Sequence, residues 1–217
     1  EAGALAKDID EVGIVITPPF PFLGAVGKAI KKAALGAQDL FWEDQGAFTG
    51  EVSGSQLAKL GVKYVIIGHS ERRRHLGETD EMVEKKLSAA LRNGLIPILC
   101  VGETKAEKEA GETKEVVNRE LSVLSHLDAP GLIIAYEPVW AIGTGIADNP
   151  EDTIQIIALI RKIISERGKT RIIYGGSVNS GNAGSFLKHK EIEGALVGGA
   201  SLKKEDFKKI VEIAKKY

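Results

Sequence analysis

The sequence has almost no cysteine and no excess of charge of either sign. One of its 217 residues is cysteine, Cys100, so an intrachain disulfide is excluded and a reducing compartment fits. The 29 basic and 30 acidic residues leave a formal net charge of −1. That balance gives no electrostatic footprint for nucleic acid or an anionic membrane, so we expect neither as a partner. Small polar metabolites remain as the expected partner class.

Long apolar runs and leader signals are also missing. No run approaches the ~20 apolar residues that span a bilayer, since Arg161 and Lys162 break the most apolar helical stretch. Residues 1–5 lack the basic and apolar regions of a signal peptide. Met82 is the sole methionine, so we expect that residue 1 is not the translational start. These features favour a cytoplasmic location.

What the sequence does contain is an alternation of short apolar runs with amphipathic helical stretches. The runs are nearly continuously apolar, which is typical of parallel strands buried on both faces. They predict strands at residues 14–16, 36–40, 64–67, 96–101, 132–136, 171–174 and 194–197. Helical patterns lie between them, notably at 80–92 before Asn93-Gly94, after the Asn149-Pro150 start signal, and at 204–216.

This order predicts the fold class. Residues 1–9 read as the end of a helix, and seven βα units follow without a long linker, so we expect one α/β domain over residues 1–217. Alternating βα units form either an eight-stranded barrel or an open sheet. Seven strands behind a leading helix are one short of a (β/α)8 barrel. No strand is followed by G-x-G-x-x-G, which disfavours the dinucleotide-binding alternative.

In such folds the active site lies at the C-terminal ends of the strands, and two candidates for proton chemistry stand there. His69 follows the strand at 64–67 after one glycine, Gly68, and precedes a possible helix start, where the cationic form of an imidazole is disfavoured. Its alternative is a histidine that caps the strand end. Glu137 follows the strand at 132–136, and burial under apolar cover would strengthen it as a general base.

The segment after Glu137 has a stiff start, an apolar middle and a flexible end. Pro138 begins it, Trp140 lies in its apolar part, and Gly143 and Gly145 free its far end. Such a loop is able to close over a site and exclude water. The alternative is an ordinary connecting loop with a half-buried tryptophan.

Paired glycines follow the last two predicted strands. Gly175-Gly176 precedes Ser177, and Gly198-Gly199 precedes Ala200-Ser201. Backbone N–H groups without side chains approach an anion closely, and barrels commonly bind phosphate on these loops. One such pair would indicate only a turn; two at the expected places favour a phosphate site.

The segments that carry these features together resemble the triosephosphate isomerase family. Six motifs stand in the family's order along the whole chain: GAFTGE at 46–51, YVIIGHSERR at 64–73, PILCVGE at 97–103, AYEPVWAIGTG at 135–145, YGGSV at 174–178 and VGGASL at 197–202. The resemblance implies a TIM barrel that interconverts dihydroxyacetone phosphate and D-glyceraldehyde 3-phosphate through an enediolate. It implies no metal and no organic cofactor.

The resemblance also implies roles for individual residues. Glu137 would shuttle the proton, and His69 would be the neutral electrophile on the substrate oxygens, an arrangement for which this family is itself the standard example. Glu71 would support the site. Phosphate would be bound by Gly143, Ser177, Gly198 and Gly199. The closing lid would comprise Pro138, Val139, Trp140, Ala141, Ile142, Gly143, Thr144 and Gly145. The loop with Phe48 and Thr49 would insert into a second subunit of a homodimer.

The sequence departs from the family pattern at its start. The family's first strand ends in an asparagine and a lysine that reach the substrate, and neither has a match here, so we expect a barrel truncated before residue 1. Losing one such electrostatic contact commonly costs roughly 10²–10³ in rate. Ile146 also stands where a lysine is common. An alternative is therefore a truncated or engineered barrel that binds phosphate ligands or self-assembles without turnover. A different phosphate-sugar barrel enzyme is a third hypothesis, which the lid motif opposes.

Overall fold

The computed structural model describes Lys7, Glu11 and residues 13–141, 148–167 and 170–217, and this part of the chain forms two compact units. The first unit runs to Leu99 and takes in His126–Leu132, and the second comprises Cys100–Ser125 and Ile133–Tyr217. A single domain over residues 1–217 stays a prediction. The predicted leading helix at 1–9 lies outside the described residues apart from Lys7.

The described residues of the first unit contain parallel strands in chain order. These are β1 (Val15–Ile16), β2 (Ala34–Ala37), β3 (Tyr64–Ile67) and the Ile96–Leu99 part of β4 (Ile96–Val101). The register pairs Val15 with Ala34, Gly36 with Tyr64, and Tyr64 with Ile96. Val65, Ile67 and Leu99 are completely buried, which confirms the interpretation of continuous apolar runs as buried parallel strands.

Strand β2 begins two residues earlier than predicted and ends three residues earlier. Its pairing with β1 starts where the Ala34 N–H donates to the Ile14 carbonyl at 2.9 Å. The ladder ends at Ala37, and the next two side chains make tertiary contacts. The Gln38 amide donates to the Thr17 carbonyl, and the Asp39 carboxylate binds Lys86.

Helices of the first unit follow its strands. They are α1 (Leu23–Ala29), α2 (Gly54–Lys59), α3 (Ser70–Leu76) and α4 (Asp80–Arg92), with a 3-10 turn at Phe20–Phe22. Helix α4 has the bounds that its apolar periodicity predicts. Thr79 caps it by accepting from the Met82 N–H, and Val83 and Leu87 are completely buried on its inner face.

The second unit contains β5 (Ile133–Tyr136) and β6 (Arg171–Tyr174), paired in parallel from Ile133–Arg171 to Tyr136–Tyr174. Its helices are α5 (Lys105–Glu109), α6 (Thr113–Ser122), α7 (Pro150–Ile163), α8 (Ala183–Leu187) and α9 (Lys204–Ala214). Short 3-10 turns lie at Val139–Ala141, Ser165–Arg167 and Gly199–Leu202. Asn149 caps α7 through the Glu151 N–H at 3.0 Å, with Pro150 first in the helix, as predicted.

The predicted strand at 194–197 is reduced to a single parallel bridge between Tyr174 and Ala195. The Tyr174 N–H donates to the Gly194 carbonyl, and the Leu196 N–H donates to the Tyr174 carbonyl. The segment thus lies next to β6, as the predicted strand order requires. Within the described residues its ladder of hydrogen bonds is too short to form a strand.

Within the residues that the structure describes, no helix is long and apolar enough to cross a membrane. The same part of the chain contains no group of three or more histidine, cysteine, aspartate or glutamate side chains placed to hold a metal ion.

Candidate active site

The second unit buries Glu137 at the end of β5. The residue is 1% exposed. Its N–H donates to the Val101 carbonyl at 2.8 Å, and the carbonyl of the preceding Tyr136 accepts from the Gly175 N–H at 2.8 Å. The backbone around this carboxylate is therefore fixed from the ends of β4 and β6, as expected of a catalytic group at a strand end.

Two glycines make room for Glu137. A Cβ on Gly102 would lie 1.9 Å from the Glu137 carbonyl oxygen, and a Cβ on Gly175 would lie 2.7 Å from the Glu137 Cγ. Neither distance is compatible with a side chain. Gly102 is thus required by the close approach of the Glu137 backbone, and Gly175 leaves space for the Glu137 side chain.

A second buried carboxylate, Glu103, holds the turn that follows Glu137. Glu103 is 1% exposed, and its carboxylate accepts from the Trp140 indole at 2.9 Å and from the Tyr136 hydroxyl at 3.1 Å. Its backbone carbonyl accepts from the Val139 N–H at 3.0 Å. Burial raises the pKa of the Glu103 carboxyl, although these hydrogen bonds act in the opposite direction.

Sequence reasoning did not assign this role to Glu103. The signal that was present is its position just after a strand end, the same position that singled out His69 and Glu137. Its partner Trp140 lies 37 residues away in the chain, so no local pattern could have paired them.

A tyrosine of β6 reaches the start of α7. Burial raises the pKa of Tyr174 to about 12, so its hydroxyl is neutral at physiological pH. The Tyr174 oxygen accepts from the Asp148 N–H at 3.2 Å. Asp148 itself is buried, and Lys108 lies 3.6 Å from its carboxylate. Sequence reasoning did not identify this group either.

Three of the four predicted phosphate-binding residues, Ser177, Gly198 and Gly199, lie on two glycine-rich turns of the second unit, and the fourth, Gly143, lies outside the described residues. The Ser177 hydroxyl donates to the Ala141 carbonyl, so the turn after β6 contacts the turn after β5. Gly198 and Gly199 are exposed at the start of the 3-10 turn Gly199–Leu202. A Cβ on either glycine would meet nothing within 4 Å, so these glycines border open space.

Part of the predicted lid is described and part is not. Pro138 and Ala141 are buried, and Val139 and Trp140 are half-buried. Ile142, Gly143, Thr144 and Gly145 lie outside the described residues, as does Ile146.

In the first unit, His69 caps helix α3. Its Nδ1 accepts from the Glu71 N–H at 3.2 Å, and its side chain is 24% exposed. Because Nδ1 is the acceptor in this contact, Nε2 is the ring nitrogen left to act as a donor. The Glu71 carboxylate is 71% exposed and lies 3.9 Å from the same Nδ1.

The peptide before His69 is clamped by two side chains. The Gly68 N–H donates to Glu78 Oε1 at 3.1 Å, and the Gly68 carbonyl accepts from Arg73 Nε at 3.0 Å. Glu78 is in turn bound by Arg72 and Lys86, each at 2.7 Å. This clamp fixes the backbone between the end of β3 and His69, and so the position from which the imidazole extends.

The clamp belongs to a buried group of charges that sequence reasoning did not find. Lys86 Nζ lies 2.7 Å from Asp39 Oδ1 as well as from Glu78, and Arg72 lies 2.7 Å from Asp39. The side chains of Lys86, Glu78 and Asp39 are 4%, 3% and 8% exposed. Lys86 is thus buried, whereas its neighbour Lys85 on the same helix is 51% exposed.

The predicted subunit-contact loop is exposed. Phe48 is 43% exposed, and Thr49 beside it is also exposed. The Phe48 ring packs against the Phe41 ring with centroids 4.7 Å apart. This contact orders the loop from its base while leaving its tip accessible.

Comparison with known proteins identifies the family. The chain matches the family model described as Triosephosphate isomerase over residues 2–214. It is 49% identical over 210 residues to the triosephosphate isomerase of Picosynechococcus sp., covering 95% of this chain and 87% of that protein. It is 50% identical to the enzyme of Dictyoglomus thermophilum, covering 96% and 88%, and 50% identical to that of Aquifex aeolicus, covering 91% and 84%.

Proposed function

The chain belongs to the triosephosphate isomerase family, and from that premise we propose that Glu137 is its catalytic base. Family membership gives it the TIM-barrel fold and the interconversion of dihydroxyacetone phosphate and D-glyceraldehyde 3-phosphate. We include in the proposal that residues 1–217 form one domain. The observation that carries the assignment of the base is the buried carboxylate of Glu137, bracketed by Gly102 and Gly175.

The reaction needs one base that works on two carbons. Glu137 removes the proton beside the substrate carbonyl, which leaves an enediolate, and returns a proton to the neighbouring carbon. Burial suits this role, because a carboxylate taken out of water is a stronger base. Proton transfer of this kind contributes roughly 10²–10⁴ in rate.

His69 is the proposed electrophile. Because its Nδ1 accepts from the Glu71 N–H, the proton on Nε2 is available to the substrate oxygens, where negative charge develops. A neutral imidazole in this place is an established property of the family rather than a deduction from this structure. Glu71 supports the site through its backbone N–H.

The substrate phosphate is proposed to bind to Gly143, Ser177, Gly198 and Gly199. The exposed backbone of Gly198 and Gly199 at the start of a 3-10 turn supports the assignment, because N–H groups without side chains accommodate phosphate oxygens. Ser177 contributes its N–H, and its hydroxyl is able to rotate away from the Ala141 carbonyl. Binding energy at the phosphate is available for closure of the predicted lid at 138–145.

The remaining parts of the proposal concern the assembled enzyme. The exposed Phe48 and Thr49 are proposed to contact a second copy of the chain in a homodimer. A cytoplasmic location is part of the proposal, and the balanced charge supports neither nucleic acid nor an anionic membrane as a partner. The chemistry of the proposed residues requires no metal and no organic cofactor.

A coupled assay of glyceraldehyde 3-phosphate isomerisation tests the assignment. Glu137→Gln keeps the size of the side chain and removes the base, so we expect kcat to fall by at least about 10²-fold. Glu109→Gln is the matched control, because Glu109 is 68% exposed on α5 and pairs with Lys105. Wild-type turnover retained by folded Glu137→Gln protein would contradict the proposal.

A further inference from the structure

Asp148 joins three elements of the second unit. Its carboxylate accepts from the Thr153 hydroxyl of α7 at 3.0 Å and from the Asn149 N–H at 2.8 Å. Its own N–H donates to the Tyr174 hydroxyl of β6. The carboxylate side chain is 3% exposed, so its charge requires compensation within the protein.

Lys108 brings a positive charge to this carboxylate and to an aromatic ring at the same time. Its Nζ lies 3.6 Å from Asp148 Oδ1 and 3.6 Å from the centroid of the Trp140 ring. A cation over the face of an indole is attracted by the ring, and tryptophan is the best aromatic partner for it. One ammonium group thus links the residue that precedes α7's cap to the turn after Glu137.

The indole of Trp140 is fixed from its edge as well as from its face. Its Nε1–H donates to the buried Glu103 carboxylate at 2.9 Å, while Lys108 covers the ring. The Glu103 carboxylate at its edge and the Lys108 ammonium group at its face therefore hold the indole of Trp140, three residues from Glu137. An isolated surface ion pair contributes little, but here one partner is buried and the other also covers a ring.

From this geometry we propose that Lys108 and Asp148 form a positioning pair that holds Trp140, and through it the turn carrying the catalytic carboxylate. Asp148 orients the ammonium group, and the ammonium group fixes the indole. Neither side chain is assigned any contact with substrate. This inference rests on the proposed function, since the benefit of a fixed turn is an optimally placed Glu137.

Three substitutions test the pair. Lys108→Met keeps the chain length and removes the charge, Lys108→Arg keeps a cation that is able both to stack on the indole and to pair with Asp148, and Asp148→Asn removes the carboxylate charge. The control is Lys105→Met on the same helix, because Lys105 is 77% exposed and pairs with Glu109.

The kinetic readout separates kcat from KM. We expect Lys108→Met to lower kcat about three- to tenfold, within the range of a cation–π contact converted to rate. KM should change less than about twofold, because phosphate binding is assigned to other turns. Lys108→Arg should restore most of kcat. The double variant Lys108→Met/Asp148→Asn should have a kcat within about twofold of that of Lys108→Met alone, because the two residues act as one unit.

A second readout needs no catalysis. In a Trp42→Phe background, acrylamide quenching reports on Trp140 alone, since the sequence contains two tryptophans. Lys108→Met and Asp148→Asn should each increase quenching of Trp140, and Lys108→Arg and Lys105→Met should not. Unchanged quenching of Trp140 in both Lys108→Met and Asp148→Asn would overturn the proposed pair.

The two readouts distinguish the possible failures. An inactive wild-type protein would refute the proposed function, while quenching would still test the pair. An active wild type whose kcat is unaffected by Lys108→Met, or is lowered equally by Lys105→Met, would overturn the positioning role alone. Additive losses in the double variant would also overturn it.

Discussion

Replacement of Lys86 by methionine tests the buried charges beneath His69. Lys86 is 4% exposed and lies 2.7 Å from both Asp39 and Glu78, so Lys86→Met leaves two buried carboxylates without the cation that joins them. Breaking a buried pair from one side costs about 3–5 kcal/mol of the free energy of unfolding. Arg72 remains 2.7 Å from each carboxylate and offsets part of this loss, so we expect about 3 kcal/mol.

The neighbouring lysine provides the control. Lys85 is 51% exposed and pairs with Glu81 one turn away on the solvent face of α4. Lys85→Met should leave the urea midpoint unchanged within error, because exposed pairs of this kind contribute little. Each variant is unfolded in urea at two protein concentrations, so that any contribution from subunit association is recognised.

The loss of stability in Lys86→Met should depend on pH with a definite sign. Burial would raise the pKa of Glu78, but the hydrogen bonds and charges of Lys86 and Arg72 together outweigh burial and lower it. In the wild type the contribution of Glu78 is therefore present above the ordinary glutamate pKa of about 4.3 and is lost as the pH falls through the lowered value. In Lys86→Met burial prevails, the pKa of Glu78 rises, and acidification relieves the penalty.

The stability gap between wild type and Lys86→Met should consequently narrow as the pH falls from 7 towards about 4.3. A deficit below about 1 kcal/mol at pH 7 would refute the reasoning, because it would place this change among ordinary single substitutions. A gap that widens on acidification would refute the assigned sign.

Two further changes probe the surroundings of Glu137. Gly102→Ala would place a Cβ 1.9 Å from the Glu137 carbonyl, so we expect kcat to fall at least about tenfold. Gly24→Ala in α1 meets nothing within 4 Å and should retain kcat; equal effects of the two changes would contradict the steric argument. For Glu103, the raised pKa means a contribution that is complete below the unfolded pKa and is lost as the pH rises through the folded value. The Tm of the wild type should therefore decline as the pH rises from the unfolded to the folded pKa of Glu103, and Glu103→Gln should make this decline smaller. Profiles of Tm against pH that run parallel for wild type and Glu103→Gln would contradict the assigned sign.

The sequence predicted best those elements whose bounds depend on residues close together in the chain. The bounds of α4 and the Asn149 cap of α7 follow from periodicity and capping within a few residues, and the structure confirms both. Glu137 and His69 are candidates because strand ends concentrate functional side chains, and the structure places both just after strand ends, while their roles stay predictions.

Contacts between distant parts of the chain could not be predicted in this way. Asp39 and Lys86 are 47 residues apart, and no spacing rule distinguishes Lys86 from the exposed Lys85 beside it. The end of β2 was also not predicted, since Asp39 was expected in the strand but the ladder ends at Ala37. An apolar run does not by itself show at which residue a backbone ladder ends.

Turnover of D-glyceraldehyde 3-phosphate in deuterium oxide, followed by proton NMR, tests the central claim most directly. A carboxylate base that exchanges its proton with solvent transfers deuterium to carbon, whereas a direct hydride shift does not. We predict that the wild type forms dihydroxyacetone phosphate labelled at the carbon that receives the proton, and that Glu137→Gln forms labelled product at least about 10²-fold more slowly. Labelled product formed by Glu137→Gln at the wild-type rate would contradict the account.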